Sequence, residues 1–163
     1  MGDVYVTNDY LSNDLLYINQ HDGTFVDRAG SYFDHTSYSA MGNDIADINN
    51  DGLMDLIAVD MLPPDNKRQK LMFGATSYDR YQSEIRMGYT PQFMRNTLQL
   101  NRGLVDGRPY YSEIGQFAGI AATDWSWSPL LADVDNDGWR DLLVTNGYPR
   151  DITNRGLCQL QSQ

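Results

Sequence analysis

Short apolar runs separated by polar, aspartate-rich loops dominate the chain. Asp55-Leu-Ile-Ala-Val59 and Asp141-Leu-Leu-Val-Thr145 are brief, apolar and partly β-branched, and they read as buried strands. Asn43 to Asp47 and Leu130 to Asp133 read as the ends of strands that precede them. Further along, Asn13-Asp-Leu-Leu-Tyr-Ile-Asn19 and Asp22-Gly-Thr-Phe-Val-Asp27 read as strand, turn, strand, with Asp22-Gly23 as a two-residue hairpin signal. The same unit returns as Asn96-Thr-Leu-Gln-Leu-Asn101 and Asp106-Gly-Arg-Pro-Tyr-Tyr-Ser-Glu113, followed by Ala118-Gly-Ile120 where the first copy has Ala29-Gly30. At the start, Asp3-Val-Tyr-Val-Thr-Asn8 matches Asp141-Leu-Leu-Val-Thr-Asn146. The recurring order is strand, polar loop, strand, hairpin, which makes a four-stranded antiparallel unit.

The polar loops carry the candidate chemistry. Asp47-Ile-Asn-Asn-Asp-Gly-Leu-Met-Asp55 and Asp133-Val-Asp-Asn-Asp-Gly-Trp-Arg-Asp141 share the pattern D-x-D/N-x-D-G-x-x-D. Oxygen side chains stand at loop positions 1, 3, 5 and 9, with glycine at 6, as a tightly wound calcium loop requires. Two calcium sites are expected. The first set is Asp47, Asn49, Asp51 and Asp55 with the Leu53 carbonyl; the second is Asp133, Asp135, Asp137 and Asp141 with the Trp139 carbonyl. Carboxylates about 4–5 Å apart repel by roughly 3–4 kcal/mol per pair at an effective dielectric near 20, and a divalent ion reverses that sign. An EF-hand is excluded on two counts: position 12 is Ala58 or Val144 rather than an acid, and the flanks are strands rather than helices. Asp3 stands as position 9 of a third loop whose earlier part is absent from this sequence.

Loops and flanks together resemble FG-GAP/VCBS repeats, the calcium-loop blades also found in integrin α-subunit propellers. Asn13 to Asn19 with Asp22-Gly-Thr-Phe25, and the run from Thr123 through Asn154, resemble the CRTAC1-like, ASPIC/UnbV-associated subset, frequent in surface and secreted proteins of Bacteroidetes-type bacteria. The resemblance implies an all-β fold of four-stranded antiparallel blades from a partial β-propeller, with calcium in the loops and a binding or adhesion role. It supplies no catalytic set. The blades divide as 1–37 (later strands of one blade), 38–117 (a complete blade), 118–150 (first strands of the next) and 151–163 (a tail). Two blade equivalents do not close a ring, so the sequence reads as a piece of a longer protein whose open blade edges invite self-association.

The spacing from Asp55 to Asp141 exceeds that from Asp3 to Asp55, and the surplus lies in an insertion at about 61–92. Met61-Leu-Pro-Pro64 favours extended chain. Ser77 to Met87 predicts a short helix, with Ser77 as N-cap and Gly88 as stop. Lys67, Arg68, Lys70, Arg80, Arg86 and Arg95 are half of the chain's 12 basic residues. Tyr78, Arg80, Tyr81 and Arg86 form a candidate ligand-binding group, because aromatic platforms beside cations suit carbohydrate or protein ligands. The competing expectation is a decorated loop whose aromatics pack on their own blade.

Charge and composition narrow the function. A net charge of −10 argues against nucleic acid as a partner. No run is long and apolar enough to span a membrane as a helix. His21 and His35 read as surface residues, Cys158 as an inert thiol in the tail, and no nucleophile motif, phosphate loop or zinc spacing occurs, so the chain is not expected to be an enzyme. Trp125, Trp127 and Trp139 are weighed as a sugar platform; Trp125 and Trp127 alternate and are expected to pack between blades instead. The expected role is a calcium-binding segment of a surface or secreted, bacterial, outer-membrane-associated binding protein, with an unidentified protein or carbohydrate ligand. The alternative is part of a calcium-dependent, lyase-like polysaccharide-active enzyme, for which Arg80, Arg86 and Tyr81 are the suggestive residues.

Overall fold

The computed structural model describes residues 2–10, 12–72 and 77–148, and among these the chain is mostly β. Val4–Val6 (β1), Leu15–Asn19 (β2) and Phe25–Asp27 (β3) form a three-stranded antiparallel sheet. A four-residue helix, Ala29–Tyr32 (α1), and a two-residue strand, Thr36–Ser37 (β4), follow. Gly42–Ala46 (β5) and Asp55–Val59 (β6) are antiparallel and joined by the first acidic loop. Helices Asn66–Leu71 (α2) and Tyr78–Arg86 (α3) come next. Gln92–Phe93 (β7) returns to pair in parallel with β4. Thr97–Val105 (β8) and Arg108–Glu113 (β9) complete a four-stranded antiparallel sheet of order β5-β6-β8-β9. Ser126–Ala132 (β10) and Asp141–Asn146 (β11) pair across the second acidic loop. The described residues form no closed ring of sheets. No helix among them is long and apolar enough to cross a membrane.

The β1-β2-β3 and β10-β11 sheets pack on opposite faces of the four-stranded sheet, so β6 is buried on both sides. Successive side chains on a strand point to opposite faces. Leu56 joins Tyr5, Leu16, Ala29 and Phe33 in one core. Its neighbour Ile57, with Val59 and Leu98, packs on Leu131, Leu142 and Val144 of the last sheet. Phe33 meets Tyr5 and Tyr111 edge to face, at centroid distances of 5.8 and 5.0 Å. Gly42 lets β5 approach β10 closely: a Cβ there would lie 2.5 Å from the Trp127 carbonyl oxygen.

The repeat is also written in hydrogen bonds. Asp3 accepts the Asn19 amide at 2.8 Å, and Asp55 accepts the Asn101 amide at 2.8 Å. Asn8 N–H donates to Asp14 at 2.9 Å, and Asp60 N–H donates to Asn96 at 2.7 Å. Asp27 takes the N–H groups of Leu16 and Ala29, and Glu113 takes those of Leu98 and Gly115. Acid and amide side chains thus satisfy backbone donors that the strand ladders leave open.

Two local expectations change. Asp22-Gly23 does not form a two-residue hairpin: the link runs from Gln20 to Thr24, closed by Gln20 N–H to the Thr24 carbonyl, with Asp22 accepting from Thr24 N–H and hydroxyl. The two-residue turn is Asp106-Gly107, where Val105 pairs with Arg108 and both turn residues have positive φ (53° and 77°). The insertion holds two helices rather than one. Ser77 caps α3 by accepting from Arg80 N–H, and Gly88 follows it at φ 88°, whereas Asp65 caps α2 by accepting from Arg68 N–H. Arg68 then anchors α2 on Asp124 at 2.5 and 3.0 Å. The tail 151–163, with Cys158, lies outside the described residues.

Two tests bear on this packing. Gly42→Ala forces β5 and β10 apart and should cost about 1–3 kcal/mol, read as a lowered midpoint in urea. Buried Asp14 titrates at about 6: burial raises it, the Tyr5 hydroxyl and Asn8 N–H bonds oppose, and the Asp60 charge adds to the rise. Because the folded value lies above the unfolded one, the native state binds more protons, and this contribution to stability is lost as pH rises from about 4 through about 6. Asp14→Asn removes the titration. Its unfolding free energy relative to wild type should therefore move in the variant's favour by on the order of 3 kcal/mol between pH 4 and 8. A difference that stays flat across that range would refute the assignment.

Candidate metal loops

The loop joining β5 to β6 and the loop joining β10 to β11 are built alike, bond by bond. In the first, Asp51 N–H donates to Asp47 (3.1 Å) and Asn49 (3.2 Å), Gly52 N–H to Asp47 (2.8 Å), Leu53 N–H to Asp51 (2.8 Å) and Ile48 N–H to Asp55 (3.0 Å). In the second, Asp137 N–H donates to Asp133 (3.1 Å) and Asp135 (3.1 Å), Gly138 N–H to Asp133 (2.9 Å), Trp139 N–H to Asp137 (2.8 Å) and Val134 N–H to Asp141 (3.0 Å). These backbone donors fix each acid and leave its remaining lone pairs unassigned. Gly52 and Gly138 at position 6 have φ of 85° and 90°. Position 4 is also left-handed, at Asn50 (57°) and Asn136 (62°). Asparagine tolerates that conformation better than most residues, and its presence at position 4 of both loops was the sequence signal for it.

The loops differ in how far their acids converge. Ligand oxygens of Asp133, Asp135 and Asp141 all lie within 4.8 Å of one another, and this is the one such cluster among the described residues. In the first loop position 3 is Asn49, whose Nδ2 donates to Asp51 Oδ2 at 2.9 Å. Asp55 is fully buried, with one oxygen toward Ile48 N–H and the other toward Asn101 N–H, while Asp141 is exposed. Burial pushes the Asp55 carboxyl up; the Ile48 and Asn101 bonds oppose this, and the charges of Asp51 and Asp47 add to it. The loops also touch: Asn50 Nδ2 donates to the Gly138 carbonyl at 3.0 Å. Chemically, both are oxygen-only donor sets of the kind that hard divalent cations prefer.

The insertion residues do not form one surface. Tyr78 is 75% exposed, and Arg86 is exposed. Arg80 is engaged at its Nε by Glu84 (2.9 Å), with its guanidinium 5.2 Å above the Tyr38 ring. Tyr81 stacks on Phe93 at 5.9 Å. Phe93 in turn meets His35 at 5.1 Å. His35 is not a surface residue. It is half-buried with Arg95 (2.9 Å) and Glu113 (3.2 Å), because the polar segment that carries it runs beneath the β7 return. Burial would raise the Glu113 carboxyl, but the bonds with His35, Gly115 and Leu98 and the Arg95 charge outweigh it and hold it below its ordinary range. His21 is exposed in its turn.

Trp125 and Trp127 do not alternate within one regular strand. Trp125 precedes β10, and the pairing with β11 is irregular between Ser126 and Ser128, so both rings converge on Tyr148, at 5.1 and 6.0 Å. Trp139 sits in the second acidic loop, 54% exposed, and makes no ring contact with them.

Comparison with known proteins adds one match. No curated protein matches the chain. Residues 1–58 match the FG-GAP-like repeat, a span that takes in β1 to β5, the first acidic loop and β6 to Ala58. The chain therefore carries an FG-GAP-like repeat at residues 1–58.

Proposed function

We propose that the chain is a calcium-stabilised propeller segment of an extracellular or cell-surface adhesion or ligand-binding protein. FG-GAP repeats are typical of propeller domains in extracellular adhesion proteins. The carrying observation is that one acidic loop, with five backbone hydrogen bonds at the same positions, recurs at the same corner of successive stacked sheets. The second copy lies beyond the matched repeat and reproduces it nonetheless. Asp47, Asn49, Asp51 and Asp55 would hold one ion, with the Leu53 carbonyl. Asp133, Asp135, Asp137 and Asp141 would hold the other, with the Trp139 carbonyl. The ion supplies positive charge where three or four acids crowd one turn. The chain's own residues hold those acids in place and tie the loop to two strands, a structural rather than catalytic role.

The register of the stack supports blades continuing in both directions. Tyr5, Ile57 and Leu143 are equivalent positions, two residues past the ninth loop position. Tyr5 is 9% exposed and Ile57 0%, each covered by the next sheet, but Leu143 is 56% exposed. Equivalent by the same count, Leu56 and Leu142 pack back on the preceding sheet, while Val4 is 46% exposed. Further sheets of the same kind are the natural cover for both faces, and in their absence a second copy would serve. The run Thr123 to Asn154 and the Asn13 to Phe25 unit resemble the ASPIC/UnbV-associated subset of such propellers; residues 149–154 of that run lie outside the described residues.

Calcium should raise the melting temperature and EGTA lower it, with one site adding roughly 1.4 kcal/mol at ten times its Kd. Asp137→Ala should remove the tighter site and Asp51→Ala the weaker in calorimetric titration, since the second loop offers four carboxylates and the first three. A variant retaining full stoichiometry would show the ligand set to be wrong. Separately, Ile57→Ala should cost about 2–5 kcal/mol, whereas Leu143→Lys should leave monomer stability nearly unchanged and reduce self-association in sedimentation. Equal destabilisation by both would contradict the open-face reading.

A further inference from the structure

We infer that the cleft between α1 and the β8–β9 hairpin binds an acidic sugar residue, a hexuronate, through Arg28 and Arg108. The cleft has a volume of about 400 Å³ and is lined by Arg28, Ser31, Tyr32, Gly107, Arg108 and Pro109. That volume falls in the range of small-molecule sites. It shares no residue with the acidic loops, so its reading does not depend on a bound cation.

Charge is the first argument. The chain carries 22 acidic residues against 12 basic ones, and Arg68, Arg80 and Arg95 are each spent on a carboxylate of the fold. Arg28 and Arg108 have no such partner among the described residues, yet both line one cavity whose wall contains no acid. Two like charges thus line one space with no compensating acid in its wall. Asp106 lines an adjoining cavity that shares Ser31, Arg108 and Pro109. A guanidinium offers a planar fork of N–H donors that matches a carboxylate in two parallel bonds.

The rest of the wall selects a sugar over a bare anion. Tyr32 and Pro109 line the cleft, and their rings are of the kind that cover the C–H face of a pyranose. Tyr32 is held from behind by the core of Tyr5, Leu16 and Phe33. The Ser31 hydroxyl donates to the Arg28 carbonyl at 2.9 Å, leaving its lone pairs to accept from a sugar hydroxyl. On the hairpin side, Arg108 directly follows the two-residue turn of Asp106-Gly107 and pairs with Val105.

Trigalacturonate titrated calorimetrically into the whole chain tests this, with galactotriose as the neutral sugar and hexaglutamate as the acidic peptide. Arg28→Gln and Arg108→Gln should each weaken trigalacturonate binding by about tenfold or more, the scale of a lost charge-assisted contact. Arg102→Gln, an exposed arginine outside the cleft, should leave it unchanged. The three side chains are exposed, and circular dichroism verifies that the variants fold. Three results would overturn the inference: no saturable binding of trigalacturonate, an equal loss in Arg102→Gln, or hexaglutamate or galactotriose binding as tightly as trigalacturonate.

Discussion

Burial of β6 on both faces is the constraint that organises the rest of the molecule. Every residue from Asp55 to Asp60 is buried, and the strand alternates its apolar side chains between two separate cores. A strand buried on both sides forces a sheet on each side, and those sheets are β1-β2-β3 and β10-β11. The strand is also bounded by carboxylates that are fully buried, Asp55 before it and Asp60 after it. Asp55 ties the strand to the acidic loop and to β8. Asp60 gathers Ser37 Oγ, Tyr38 N–H, Ser39 N–H and Met61 N–H, with its pKa raised by burial against those bonds. Apolar surface thus sets how the sheets stack, and buried acids fix where β6 starts and stops.

That division of labour explains why the acidic loops are so regular. Position 9 is at once a loop residue and the first residue of the strand that follows, so the loop inherits the strand's placement. The five backbone bonds recur because the same start and stop recur. The difference between the loops comes from their surroundings rather than their design. Asp55 is covered by β8 and its amide donor at Asn101, while among the described residues no strand covers Asp141. The contact of Asn50 with Gly138 then couples two corners that the sequence separates by a whole repeat.

Much of this was legible because it rests on local chemistry. Aspartate at fixed spacing, glycine at position 6 and short β-branched runs identify loops and strands without any knowledge of packing. Asp3 as a displaced ninth position was legible too, and its bond to Asn19 repeats that of Asp55 to Asn101. The Ser77 cap and the Gly88 stop locate α3 from two residues. The Asp22-Gly23 turn misled, since the same dipeptide closes a tight hairpin at Asp106 but sits in a five-residue link at Asp22, where the Asp22 side chain binds Thr24 instead. His35 was equally illegible: a polar segment looks exposed until β7 folds back to pair with β4.

The sequence by itself determined the repeat, its acidic loops and the strands at their flanks, because each is specified by residues within about ten positions of one another. Tertiary structure alone decided which apolar residues are covered, since Tyr5, Ile57 and Leu143 read alike along the chain and differ only in whether a sheet lies against them. It alone brought Arg28 and Arg108 to one cleft across 80 residues of chain. Propensity and spacing act along the backbone, but burial and the convergence of charge are properties of surfaces that exist only once the sheets have stacked.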